Sequence, residues 1–169
     1  MKKLVITFGL IAGLIVCGIM SISFGFMKTH SFEGGEIVGY SSMIIAFATI
    51  FVAVKSYRDN HLNGSITFGR GFLIGLYITL VASSLYVIWW MIYSTTVYTT
   101  FMEDYANFSL EKLKASGASA EAIQKSMDDM EMFKELYSNP FIKIGMTFIE
   151  IFPVGLFISL VSAAILRKK

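Results

Sequence analysis

The sequence predicts an all-α protein: a four-span transmembrane helical bundle with an extracytoplasmic helical hairpin between spans three and four. Charged residues make up only 15% of the chain, whereas a soluble domain usually carries about 25%. The deficit comes from four long tracts that are almost free of charge, and each is long enough to cross about 30 Å of hydrocarbon as a helix. A chain of 169 residues has room for a single integral membrane domain.

The four tracts predict spans at about 4–27, 37–54, 71–97 and 141–166. Inside lipid each backbone amide must bond within its own segment, so tracts of this length favour helices over strands. The first tract exceeds the roughly 7–15 apolar residues of a signal peptide, and we expect it to be retained. Cys17, the only cysteine, lies inside this tract and is interpreted as a small buried packing residue.

Residues of about 98–140 form the predicted hairpin. We expect span three to continue outward as a helix and to turn back at Gly117, because glycine tolerates the left-handed geometry of a helix end. Ser119 is a favourable N-cap for the second helix, which Asn139 and Pro140 end. An apolar stripe on each helix is expected to face the other: Phe101, Tyr105 and Phe108 on the first, and Ile123, Met127, Met130, Phe133 and Tyr137 on the second.

The methionine-rich stripe of the second hairpin helix has an alternative interpretation. Instead of packing within the hairpin, it could dock on a partner or on the membrane surface, since methionine adapts to varied surfaces. The acidic balance of the loop disfavours docking on anionic lipid.

Basic residues predict the orientation of the chain. Lysines and arginines concentrate in cytoplasmic loops of membrane proteins. We therefore expect a multi-pass protein of the bacterial inner (cytoplasmic) membrane with both termini in the cytoplasm. The net charge of +2 is too small to indicate a nucleic-acid partner. Eight of the fourteen basic residues lie on one predicted side: Lys2, Lys3, Lys55, Arg58, Arg70, Arg167, Lys168 and Lys169.

Glu150 is the residue most indicative of function, because an ionisable side chain within a span is costly and usually marks a functional or partnered position. Pro153 follows in the same span and predicts a kink nearby. At a similar depth we place Ser41, Ser42, Tyr86 and Trp89 as a candidate intramembrane polar site. Glu150 could be a neutral structural acid, a proton or cation site, or a contact between subunits.

Small residues predict where helices approach closely. They recur at spacings of four on three spans, all in the half nearer the cytoplasm. Such ridges favour packing within one subunit, with homodimerisation as the alternative. The outer half, where bulky aromatic residues collect, is expected to be looser. The ridge residues are Gly9 and Gly13 on span one, Gly71 and Gly75 on span three, and Gly155 and Ser159 on span four.

No nucleophile–base–acid set, phosphate loop or paired carboxylates stand out, so we expect neither an enzyme nor a resident cofactor. His30 and His61 are isolated in predicted loops, which makes a metal site unexpected.

Several motifs resemble an uncharacterised bacterial membrane family, domain of unknown function 4199. They are Phe68–Phe72 with Gly75, Ala115–Ser119 before the acidic helix, Asn139–Phe141, and Gly155–Ser159 before the lysine-rich tail. The resemblance extends over nearly the whole chain and implies a four-span inner-membrane protein. It implies no activity and no catalytic residues.

Two functions remain open at this point. The first is a non-catalytic packing, accessory or partner-binding protein that contacts the lipid bilayer and possible further partners, either a second copy or another membrane protein. The second is a small oligomeric transporter or channel subunit that uses Glu150.

Overall fold

A computed structural model describes residues 1–29 and 32–168, without the side chains of Lys28 and Thr29. His30, which the sequence places in a loop, and Lys169, in the basic tail, lie outside the described residues. The described residues form helices and no strand, with an isolated bridge at Ile66. The helices are α1 (Lys2–Thr29), α2 (Gly35–His61), α3 (Phe68–Thr96), α4 (Phe101–Ala115), α5 (Ala120–Ser138) and α6 (Pro140–Leu166).

Four of these helices, α1, α2, α3 and α6, are long and apolar enough to cross a membrane, with mean hydropathies of 2.0 to 2.5. Their outward faces carry large apolar side chains that a soluble protein would bury, including Leu14, Ile37, Ile149 and Phe157. Cys17 is buried, as expected. The all-α fold with four candidate spans is therefore confirmed, and the chain has the character of a multi-pass membrane protein.

The ends of the helices follow local sequence signals. The Thr67 hydroxyl accepts a hydrogen bond from the Arg70 amide at the start of α3, and the Ser119 hydroxyl accepts one from the Ala122 amide at the start of α5. Asn139 ends α5 and caps α6 through its side chain. Gly117 has a φ of 76° in the turn between α4 and α5, a backbone conformation that favours glycine.

The expectation that span three continues outward as one helix is wrong. α3 ends at Thr96, and α4 begins only at Phe101. The amides of Val97 and Tyr98 both donate to the Tyr93 carbonyl, which closes the helix. Tyr98 is only 1% exposed, with its ring centroid 6.1 Å from that of Phe24 and 5.5 Å from that of Phe101. Burying this aromatic side chain redirects the chain, because an uninterrupted helix would carry α4 away from the bundle.

The spanning helices form a closed ring in the order α1, α3, α6, α2, with α1 and α6 diagonally opposite. We call the end that holds residue 1, the 62–67 loop and the C-terminus the basic end, and the other the hairpin end. Ile66 and Lys168 exchange backbone hydrogen bonds of 2.9 and 3.0 Å at the basic end. Arg58 donates to the Leu166 carbonyl at 3.3 Å, so α2 caps the last turn of α6. The predicted clustering of the basic segments at one end is thus a feature of the fold.

The hairpin lies on the bundle, α4 and α5 are in contact, and every residue of the two apolar stripes except Met127 is half-buried. Neither α4 nor α5 has a buried residue. The aromatic stripe of α4 also packs on Phe32, which precedes α2, with ring centroids 5.7 to 5.9 Å apart. Across the hairpin, Lys134 pairs with Glu103 at 3.1 Å, and Met127 and Met132 remain exposed.

Candidate functional site

Two adjoining cavities lie between the hairpin and the spanning helices at the hairpin end. Their volumes are about 690 Å³ and about 360 Å³. They share four lining residues, Phe24, Phe101, Tyr105 and Glu150. We call the pair the hairpin-side cavity.

Glu150 lines both parts of the hairpin-side cavity. It lies about 15 Å along α6 from Pro140, at a rise of 1.5 Å per residue, and is therefore well inside the spanning segment. Its carboxyl group receives no hydrogen bond or ion pair from any residue that the structure describes, and its side chain is exposed. An acid at this depth is costly without a partner, so the group is available to a ligand, to water or to a proton.

The other residues of the predicted polar site are only partly gathered around Glu150. Tyr86 is buried and lines the smaller cavity together with Glu150. Trp89 lies outside the lining and instead packs against α1, with its ring centroid 6.2 Å from that of Phe24. Ser42 is buried and donates to the Gly39 carbonyl at 2.7 Å, while Ser41 is exposed and lines neither cavity.

The sequence interpretation missed a polar group beside Glu150 that joins three helices. The Trp90 indole N–H donates to the Tyr137 hydroxyl at 2.6 Å, and that hydroxyl is also hydrogen-bonded to Thr147. The Lys143 ammonium lies 5.0 Å from the centroid of the Tyr137 ring. Burial raises the pKa of Tyr137 above its ordinary value. The position of Tyr137 on the apolar stripe was visible in the sequence, but its partners on α3 and α6 were not.

Residues of α1 and α2 complete the larger cavity and were also missed. Met20 and Met43 contribute apolar walls, and Gly39 leaves an open space where a Cβ atom would meet nothing within 4 Å. Met20 and Met43 carried no signal, because methionines at helical spacing are ordinary core residues.

Towards the basic end, α3 and α6 meet through the small residues that the sequence singled out. A Cβ atom on Gly71 would lie 3.4 Å from Ala163, and one on Gly75 would lie 2.7 Å from the Ser159 hydroxyl oxygen. Gly155 lies so close to Thr79 that a side chain at position 155 would overlap it. The hydroxyls of Thr79 and Ser159 are 3.3 Å apart and share a hydrogen bond. Backbones in this half therefore approach directly, as expected from the small-residue spacing.

The small-residue ridge on α1 also packs against another helix of the same chain, α3. A Cβ atom on Gly9 would lie 2.6 Å from Cβ of Val81, and one on Gly13 would lie 2.7 Å from Cδ2 of Leu85. All three ridges are thus covered by neighbouring helices, so a homodimer would have to use another surface.

The arrangement has the chemistry of a binding site. The hairpin-side cavity combines apolar and aromatic walls with one intramembrane carboxyl group, and concave sites of this volume with few polar groups are typical of small-molecule pockets. Among the described residues, no three His, Cys, Asp or Glu side chains could hold a metal ion together.

Comparison with known proteins gives a family but no activity. Neither a curated protein nor a solved structure matches the chain. The family described as "Protein of unknown function (DUF4199)" matches residues 6–168, which include most of α1 and all of the later helices, the hairpin among them. The chain therefore belongs to this family of unknown function.

Proposed function

We propose that the chain is a non-catalytic, multi-pass protein of the bacterial inner membrane that binds a small molecule in the hairpin-side cavity. The main support for the proposal is that Glu150 lines this cavity. Its intramembrane carboxyl group has no hydrogen-bond or ion-pair partner among the described residues. A protein that only packed helices would gain nothing from an unpaired acid at this depth, since a charged side chain inside the bilayer costs about 3 kcal/mol on insertion scales.

Native mass spectrometry of the full-length protein, extracted gently from membranes, tests the binding function. The expected result is a retained small-molecule adduct that is lost in Gly39→Leu, because the leucine side chain enters the open space beside Met43. Gly145→Leu is the matched control, since a Cβ atom there also meets nothing within 4 Å and the position does not line the cavity. An adduct that is absent, or that survives Gly39→Leu unchanged, contradicts the proposal.

The proposed orientation places the basic end in the cytoplasm and the hairpin outside. It is supported by the cations of the basic end, including Lys2, Lys55 and Arg167, under the positive-inside rule. Alkaline phosphatase inserted at Gly117 is expected to be active, and a fluorescent protein fused to the C-terminus is expected to fluoresce. The reverse pattern would overturn the orientation and place the cavity mouth in the cytoplasm.

A second candidate, a small oligomeric transporter or channel subunit, is favoured by the same cavity. The direct approach of α3 and α6 at Gly75 and Ser159 opposes a continuous path through one chain, so transport would need oligomerisation or helix rearrangement. Proteoliposomes that show a proton or cation flux abolished by Glu150→Gln would support this candidate. Binding without flux would leave the protein as a binding or accessory component.

A further inference from the structure

We propose that the ligand of the hairpin-side cavity is a hydrophobic monocation, an amine or quaternary onium ion with bulky apolar substituents, whose charge lies beside Glu150. This inference rests on the proposed binding function and specifies its ligand. Three properties of the cavity carry it: the nature of its walls, the balance of charge along them, and the single acid at membrane depth.

The walls are suited to an onium ion with large apolar groups. Rings of Phe24, Phe32, Phe101 and Tyr105 line the larger cavity. Phe24 and Phe101 contact each other with centroids 5.5 Å apart in an edge-to-face arrangement, so their faces point in different directions. Aromatic faces attract a cation within about 6 Å of the ring centroid, most strongly when water is excluded. Flexible methionines between the rings can adjust to different substituents.

The charges along the larger cavity favour a cation over an anion. Its described lining residues include three acids, Glu33, Glu36 and Glu150, and one lysine, Lys112. Glu33 already takes part in another contact, so the preference for a cation depends on Glu36 and Glu150. Both Glu33 and Glu36 lie at the hairpin end. Glu33 precedes α2, and Glu36 lies in its first turn. Clefts lined by charge of one sign concentrate ligands of the opposite sign. An anionic headgroup would meet repulsion from the same carboxylates.

The depth of Glu150 limits the ligand to one positive charge. The described part of each spanning helix carries no other acid within its apolar stretch at the depth of the cavity floor. A second ligand charge at the depth of Glu150 would therefore be desolvated without a counter-charge, which is strongly unfavourable. One cation on one carboxylate, surrounded by apolar groups, leaves neither charge unpaired.

The test uses full-length protein in phosphatidylcholine nanodiscs and tetraphenylphosphonium as the probe. Binding is measured by equilibrium dialysis, with protein-free nanodiscs subtracted. The tetraphenylborate anion has the same shape and the opposite charge. We expect saturable binding of the phosphonium and no saturable binding of the borate. Glu150→Gln should weaken phosphonium binding at least tenfold, while Glu150→Asp should retain most of it. Glu131→Gln, which removes an exposed acid on α5, should leave it unchanged.

Equal binding of the two ions, or phosphonium binding that is unchanged in Glu150→Gln, would overturn the inference. If a native adduct is nevertheless retained and is blocked by Gly39→Leu, the cavity function stands and the ligand is not a cation. Retained phosphonium binding in Glu150→Asp, with loss in Glu150→Gln, supports the inference even if one variant is less stable, since the aspartate variant carries the same charge.

Discussion

The two halves of this bundle pack in opposite ways although the same four helices form both. At the basic end, Gly75 and Gly155 let α3 and α6 touch directly, leaving no room for a side chain. At the hairpin end, rings such as Phe24 and Trp90 hold the helices apart around cavities of about 690 and 360 Å³. A membrane bundle gains stability from close backbone approach, so the tight half can support an open half that contains a costly acid.

The comparison separates stability from binding along the length of the helices. Residues of the tight half should determine whether the bundle folds, and residues around Glu150 should determine what it binds. Substitutions in each half separate the two properties.

Gly155→Leu should destabilise the protein most. A side chain at this position overlaps Thr79 and would place its Cβ atom 2.7 Å from Cζ of Phe47, so α3 and α6 must separate. Overpacking of this kind costs about 3 kcal/mol. Thermal unfolding in detergent measures the loss. Gly145→Leu, in open space on the same helix, should change stability little; equal losses at both positions would remove the distinction between the two halves.

Glu150→Leu should raise stability while abolishing ligand binding. The substitution removes an acid that has no partner among the described residues and replaces it with an apolar side chain at the same depth. We expect a gain of about 2 kcal/mol, somewhat less than the insertion cost of a charged residue at the bilayer centre. Unfolding by heat in the absence of ligand measures it. A clear loss of stability would mean that Glu150 ties helices together.

Tyr137→Phe should loosen the hairpin rather than unfold the bundle. It removes the hydroxyl that accepts the 2.6 Å hydrogen bond from Trp90 and leaves a largely buried indole N–H without its acceptor, at a cost of about 1 kcal/mol. Limited proteolysis near Gly117 should become faster. Tyr93→Phe is the control, because it removes a tyrosine hydroxyl from the same aromatic cluster and keeps the ring that stacks on Trp89. Equal proteolysis of both variants would argue against this anchor.

Alkaline pH should weaken the α3–α4 junction slightly. Burial, followed by the charge of Asp104, raises the pKa of Tyr98 from 10.0 to about 12. The folded state thus keeps its proton where the unfolded state has lost it, so stability is complete below about pH 10 and falls as the pH rises towards 12. Tyr98→Phe should reduce the fall in melting temperature over this range. An unchanged fall would show that other groups cause it.

The sequence was sufficient for features that depend on local pattern. The apolar tracts predicted α1, α2, α3 and α6, and side-chain chemistry predicted the cap at Ser119. The small-residue spacing predicted where backbones approach, because glycine at every fourth position leaves a continuous flat surface.

Features that depend on packing between distant segments could not be predicted. The break after Thr96 follows from the burial of Tyr98 against Phe24, a contact between residues far apart in the chain. Depth along the helices placed Ser41 and Trp89 near Glu150, but the rotation of each helix, which decides whether a residue faces the cavity, is set by its neighbours. Gly39 and Thr147 therefore line the cavity without a signal in the sequence.

The central claim is that solutes can reach the carboxyl group of Glu150 through the open half of the bundle. Cysteine labelling at three successive positions of α6 tests this claim most directly. Glu150→Cys, Ile149→Cys and Ile151→Cys are each made in a Cys17→Ala background and treated with a water-soluble thiol reagent in intact membranes. Ile149 is 71% exposed on the lipid-facing surface, and Ile151 is 0% exposed in the core. Labelling should occur at position 150 alone. Equal reactivity at all three positions, or none at position 150, would contradict the account.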